Sequence, residues 1–199
     1  VVNGQLTSGG NLYLPHDDGT SSTANAKPTS MTVDGGEVKT YNFAFNGYPS
    51  EEGVRHELVI TNGGTVKVDG NFNVPKGKTV SGKSIQLGKV AIAGGRLDVA
   101  GTMSLANDAN TGARVELPEG GTLCALSLQG ASTVDGDRVA YTGLEGAGLY
   151  ADGGTYEVCS KASQGYVWHG VRACLGAKGL VIDMSHVRDS YDKMQNYYL

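Results

Sequence analysis

The chain is poor in charge, proline, cysteine and aromatic rings. Of its 199 residues, 18% are Asp, Glu, Lys or Arg, 7% are Phe, Tyr or Trp, five are proline and three are cysteine. An ordinary globular domain carries about a quarter charged residues, and solvated helix faces need them, so a helical bundle is excluded. Sixteen Lys and Arg against twenty Asp and Glu give a formal charge of -4. No basic block is long enough to follow a phosphate backbone, which argues against nucleic acid as a partner. Apolar runs are short too: Gly179-Leu180-Val181-Ile182 is among the longest, far below the roughly 20 residues of a membrane helix. The sequence starts at Val1 with no basic and apolar leader, so the expectation is a soluble segment from which any targeting peptide has been removed.

Motifs for chemistry are equally scarce. Cys124, Cys159 and Cys174 show no CxxC or CxxH spacing, which argues against a structural zinc site. His16, His56, His169 and His186 form no HExxH or HxH pattern and read as surface or loop residues. There is no Gly-x-Ser-x-Gly elbow for a serine nucleophile. The glycine-rich stretch Gly143-Leu-Glu-Gly146-Ala-Gly148 lacks the Lys-Ser or Lys-Thr tail of a phosphate cradle. No cofactor is therefore expected. The absence of any Asn-x-Ser or Asn-x-Thr triplet favours a bacterial or viral source.

What the chain does have is glycine, 31 residues in 199, and the glycines are periodic. Gly-Gly occurs at 9, 35, 63, 94, 120 and 153, at intervals of 26, 28, 31, 26 and 33 residues. Apolar residues alternating with polar ones follow each pair, the pattern of a strand with one buried face, and a glycine pair supplies the positive φ of a sharp corner. The match is closest between GGTVKVDGNFNV (63–74) and GGRLDVAGTMSL (94–105). Two short alternating strands around a glycine bend, repeated at this spacing, predict a coil of a β-solenoid, a parallel β-helix. Val66, Val68, Phe72 and Val74 should then stack near Leu97, Val99, Met103 and Leu105. A β-sandwich or jelly roll, which also uses short alternating strands, is the alternative.

The expected organisation is an irregular β-rich part with long loops over 1–60, solenoid repeats over 61–160, and an aromatic loop followed by a C-terminal amphipathic helix over 161–199, all within one domain. Met184, Val187, Tyr191, Met194 and Tyr198 recur at spacings of three and four, with Asp183 or Ser185 available as a cap. That helix should close the end of the column, or else bring copies together as a homo-oligomer seam.

The GG-x-φ-x-φ units at 63–74 and 94–105 resemble the repeats of β-helical passenger domains in bacterial adhesin-type surface proteins, and more weakly phage tail-spike shafts. The resemblance spans about residues 60 to 160. It implies surface exposure and adhesion or scaffolding, without a ligand and without a transferable catalytic motif.

Candidate sites follow from clustering. Tyr150, Tyr156, Tyr166 and Trp168 crowd together near the C-terminal side, and aromatic faces stack on sugar rings; these four are the ligand-binding candidates. Asp135-Gly-Asp137 is the calcium candidate, although a turn explains it equally well. Cys159 and Cys174 bracket a stretch that could fold back as a hairpin and are the disulfide candidates, a pairing that would place the chain in an oxidising compartment. The expected function is a non-enzymatic extracellular, cell-surface or virion module for structure or adhesion, with carbohydrate binding as its specific form. The alternatives are a polysaccharide-active lyase or glycoside hydrolase, with Glu51-Glu52 and His16-Asp17-Asp18 as further acids, and an assembly protein of a surface layer or phage particle.

Overall fold

The structure, a computed structural model, describes residues 1–14, 29–45, 56–74, 78–80, 83–85, 88–105, 114–129, 134–135, 138–139, 148–158, 168–169, 171 and 173–185. Its regular elements are all β-strands. The strands fall into successive repeats: β1 (Gln5–Thr7) and β2 (Asn11–Leu14); β3 (Ser30–Asp34), β4 (Glu37–Thr40) and β5 (Asn42–Phe45); β6 (His56–Thr61), β7 (Thr65–Val68) and β8 (Phe72–Val74). A hairpin of β9 (Lys78–Val80) and β10 (Lys83–Ile85) follows, then β11 (Gly88–Ala93) and β12 (Arg96–Leu105), and β13 (Arg114–Pro118) and β14 (Thr122–Gln129). A second hairpin, β15 (Val134–Asp135) with β16 (Arg138–Val139), precedes β17 (Gly148–Asp152), β18 (Thr155–Val158), β19 (Trp168–His169), β20 (Ala173–Leu175) and β21 (Val181–Asp183).

Like strands of successive repeats pair in parallel and build two sheets. One has six strands, in the order β20-β17-β13-β11-β6-β3. The other has eleven: β1-β4-β7-β12-β14-β18-β21 along its main path, with β2, β5, β8 and β19 joined beside the far ends of β12 and β14. Sandwiches and jelly rolls are built from antiparallel neighbours, so these parallel pairings overturn that alternative. Among the described strands only the two hairpins pair antiparallel, beside one isolated antiparallel bridge between Pro118 and Gly153. The first sixty residues supply β1 to β5 to the same sheets, and residue 60 lies inside β6.

Period-two alternation decides which side chains meet. Val66 pairs with Leu97 and Val68 with Val99, while Phe72 pairs with Met103 and Val74 with Leu105. All eight are buried, as the sequence predicts. The column continues above and below, from Leu6 through Val38, Val66, Leu97, Leu123 and Tyr156 to Ile182. Burying a Val, Leu or Phe side chain contributes about 1.5–3 kcal/mol, and stacking repeats is the only way such narrow strands can do so.

The two glycines of a pair answer different constraints. At the corner between the two sheets, the first glycine has positive φ: Gly35 67°, Gly63 77°, Gly94 75°, Gly120 80° and Gly153 90°. The second lies against the preceding repeat, where a Cβ has no room; on Gly95 it would come 2.8 Å from the carbonyl oxygen of Gly64. That carbonyl is needed, because it accepts the backbone hydrogen bond of Arg96, as Gly36 does from Thr65, Gly95 from Thr122, Gly121 from Thr155 and Gly154 from Val181. Gly9-Gly10 does not belong to this series. It sits at the next corner, where the Gly10 carbonyl accepts from Tyr41 N–H, and the first repeat makes the glycine corner with Gly4, whose carbonyl accepts from Glu37.

The expected C-terminal helix departs from what is seen. Val181–Asp183 is a strand on the last repeat, no α-helix occurs among the described residues, and residues 186–199 lie outside them. The Asp183 Oδ1 accepts a hydrogen bond from Ser185 N–H at 2.8 Å, which turns the chain at the strand's end.

Candidate binding face

The outer surface of the six-stranded sheet combines a charge network with an aromatic ring and an open cleft. Parallel register aligns two rows across its strands, about 4.8 Å apart per step. The first is Ser30, Glu57, Lys89, Arg114 and Gly148; the second is Thr32, Val59, Ala91, Glu116, Tyr150 and Cys174. Alternating charge ties the rows together. Lys89 Nζ lies 3.2 Å from Glu57 Oε1 and 3.1 Å from Glu116 Oε2, and Arg114 Nε donates to Glu116 Oε1 at 2.7 Å.

Beyond Arg114 the row reaches Gly148, which has no side chain, and the guanidinium lies 3.9 Å from the centroid of the Tyr150 ring. This cation–π contact fixes the ring orientation. Tyr150, Glu116, Arg114, Asp152, Cys174 and Leu175 line an open cleft of about 400 Å³. It combines an aromatic ring and an apolar side chain with two carboxylates and one guanidinium. Burial pushes the Glu116 carboxyl up, but Lys89 and Arg114 draw it further down, so it is held below its ordinary value and ionised. Lys89 is held above its ordinary value, because the bonds to Glu116 and Glu57 outweigh the opposing effect of burial. Asp152 Oδ1 accepts from the backbone of Lys178, and the Lys178 ammonium pairs with Glu119, which fastens the cleft's lower edge.

Of the four aromatic candidates, Tyr150 lines this cleft. Tyr156 does not: it is a fully buried member of the Leu6 to Ile182 column, its hydroxyl donates to the Ala125 carbonyl at 3.2 Å, and burial raises its pKa. Trp168 pairs with Leu128, at the register position that continues the Phe43, Phe72 and Met103 column, and its side chain lies outside the described residues. Tyr166, Asp137 and Cys159 lie outside them as well; Asp135 ends β15, in register with Arg138 across the second hairpin. Among the described residues no group of three His, Cys, Asp or Glu could hold a metal ion, and no helix is long and apolar enough to cross a membrane.

Two further expectations are corrected. Cys174 carries a free thiol whereas Cys124 is disulfide-bonded, so the Cys159–Cys174 bridge is not formed; register sets Cys174 beside Tyr150 in the cleft, on a strand that pairs in parallel with β17, and most of the stretch between the two cysteines lies outside the described residues. His56, read as a surface or loop residue, is completely buried, with Nδ1 accepting from Thr29 N–H at 3.2 Å. Its place at the inward start of β6 accounts for this. Sequence reasoning missed Arg114, Glu116, Asp152 and Leu175. The alternation of Arg114-Val115-Glu116-Leu117 marks the first two as outward, but the neighbour that makes them a site is 34 residues on from Glu116.

Comparison with protein-family models, with curated proteins and with solved structures finds no match for this chain.

Proposed function

We propose that the chain is a β-solenoid, a parallel β-helix whose successive glycine-cornered coils stack along one axis, and that it serves as a non-enzymatic extracellular, cell-surface or virion module that binds carbohydrate on the outer face of its six-stranded sheet. The observation that carries the ligand class is the cleft at Tyr150. Sugar recognition needs an apolar ring to pack on C–H faces and fixed acceptors for hydroxyls. Tyr150 and Leu175 offer the first, and Glu116 and Asp152 the second. Held by Lys89 and Arg114, Glu116 needs little reordering to bind, and pre-organisation lowers the cost of association. With two carboxylates against one guanidinium in the lining, hydroxyl-rich neutral glycans suit it better than polyuronates.

A glycan-cleaving enzyme is the competing reading. As a glycoside hydrolase it needs one carboxyl raised so that it can act as a general acid, a role to which Glu116, held low by Lys89 and Arg114, is poorly suited. Both readings are tested with a panel of neutral and acidic polysaccharides, measured for binding by calorimetry and for release of reducing ends or unsaturated products. The expected result is binding of a neutral glycan, weakened about tenfold or more by Tyr150→Ala, with no product. Turnover would favour the enzyme, and silence in both assays would remove the ligand reading and leave a module of structure or assembly.

A further inference from the structure

We propose that copies of this chain associate head to tail, the last repeat of one molecule docking on the first repeat of the next in the register that already joins repeats within the chain. The inference uses only strand pairing and does not depend on a glycan ligand. Among the described residues β1 and β2 each pair on one side only, with β4 and β5. At the opposite end β21 and β20 pair only with β18 and β17. Each end therefore presents a strand edge with half of its backbone groups directed away from the sheet, a template for another chain.

Proteins ordinarily blunt such edges with lysine or proline, and these strands lack both. Their sequences are QLT, NLYL, ACL and VID. Lysine, arginine or proline appears instead in strands paired on both sides, such as EVKT, TVKV and RVELP. The inward positions of the end strands are exposed as well: Leu6, in register with the buried Val38, at 38%, and Leu175, in register with the buried Ala151, at 61%.

Continuity with the packing between repeats selects a second copy as the occupant. In the column Leu6, Val38, Val66, Leu97, Leu123, Tyr156, Ile182, the next step from Ile182 is an apolar residue, and Leu6 of a second copy supplies it. The backbone ladder extends likewise. Glu37 N–H donates to Gly4 and Val181 N–H to Gly154, so Gln5 N–H of the next copy would donate to the Leu180 carbonyl. No like charges are opposed, because β1 and β2 carry no charge and Asp183 alone does so in β20 and β21. Such a contact is heterologous and does not close on itself.

The test exploits that asymmetry. The intact chain is followed by sedimentation velocity from low micromolar to near-millimolar concentration, with Leu6→Lys blocking one end, Ile182→Lys the other, and folding checked by far-UV circular dichroism. The expected result is concentration-dependent growth for the unmodified chain, and at least about a tenfold rise in the concentration required for either variant alone. An equimolar mixture of the two variants should form dimers and stop there, since each retains one competent end. Thr7→Pro, which removes an edge N–H without adding charge, should act as Leu6→Lys does if the latter disturbs the fold. A chain that stays monomeric throughout, as it would with residues 186–199 or another segment of its own covering an end, overturns the proposal, and so does a mixture no larger than its components.

Discussion

Phe43 and Phe72, one repeat apart, stack with ring centroids 4.7 Å apart and planes 8° from parallel. Phe45 meets both rings edge-on, at 5.7 and 6.0 Å. The three rings are fully buried and fill the width of the column where β5 and β8 pass. Phe72→Ala should therefore cost about 3–5 kcal/mol, while the exposed neighbour Asn73→Ala should change stability by less than about 0.5 kcal/mol. Chemical denaturation compares them directly. Equal losses would mean that the assignment of faces is wrong.

The glycine pair makes a sharper contrast. Gly94 has φ 75° and open space around it, so Gly94→Asn should be tolerated better than Gly94→Ala, because Asn accepts the left-handed region; Asn62, at φ 51°, already does so nearby. Gly95 has no such option, since any Cβ meets the Ile60 side chain at 2.6 Å and the Gly64 carbonyl at 2.8 Å. Gly95→Asn and Gly95→Ala should destabilise alike, by more than the roughly 1–2 kcal/mol of left-handed strain at Gly94. Melting temperatures of the four variants would show the crossing, and a rescue of Gly95 by Asn would contradict it.

Acid should act oppositely on two outward carboxylates. Glu116 is held below its ordinary 4.5; its pairing stabilises the fold above that value and is lost as pH falls through the lowered one. The stability gap between the unmodified chain and Glu116→Gln should therefore be widest near neutrality and close in acid. Asp98 is raised above its ordinary 3.8 by burial, although Arg96 Nε lies 2.7 Å away and opposes the shift. Its ionised form opposes folding above the raised value, and protonation relieves this as pH falls towards 3.8. Relative to Asp98→Asn, the unmodified chain should gain stability in acid. Calorimetry from pH 7 to pH 2.5 would decide, with parallel movement of the two gaps counting against this account.

Thiol chemistry checks the cysteine assignment. Without reductant, one thiol per chain should react with a maleimide, and peptide mapping should place the label on Cys174, whose thiol is free. The peptide containing Cys124, which is disulfide-bonded, should change mass only after reduction. Label on Cys124 in unreduced protein would refute the assignment.

The contrast between Gly9-Gly10 and the later pairs shows how far sequence reading reaches. Alternation and glycine spacing were enough to name the eight residues that stack between 66 and 105, because a strand's two faces follow from chemistry local to four or five residues. The same dipeptide at 9 looked like one more member of the series, yet it turns a different corner, since a glycine pair states only that the backbone bends there. Segment 184–199 carries a helical stripe, but only Met184 and Ser185 of it are described, and they directly follow the strand Val181–Asp183 that pairs with β18 on the last repeat.

The sequence by itself determined that this chain is built of alternating strands cornered by glycine, and which side of each strand is apolar, since both are encoded in neighbouring residues. It also marked Tyr150 as one of a cluster of aromatic candidates. Only the tertiary structure decided that Tyr150 stands beside Glu116 and under Arg114, that Tyr156 is buried, and that Cys174 is not bridged. Those relationships are set by the parallel register between β13 and β17 and between β14 and β18. Register is fixed cooperatively by the buried columns, since a slip of one residue would carry every apolar side chain to the wrong face.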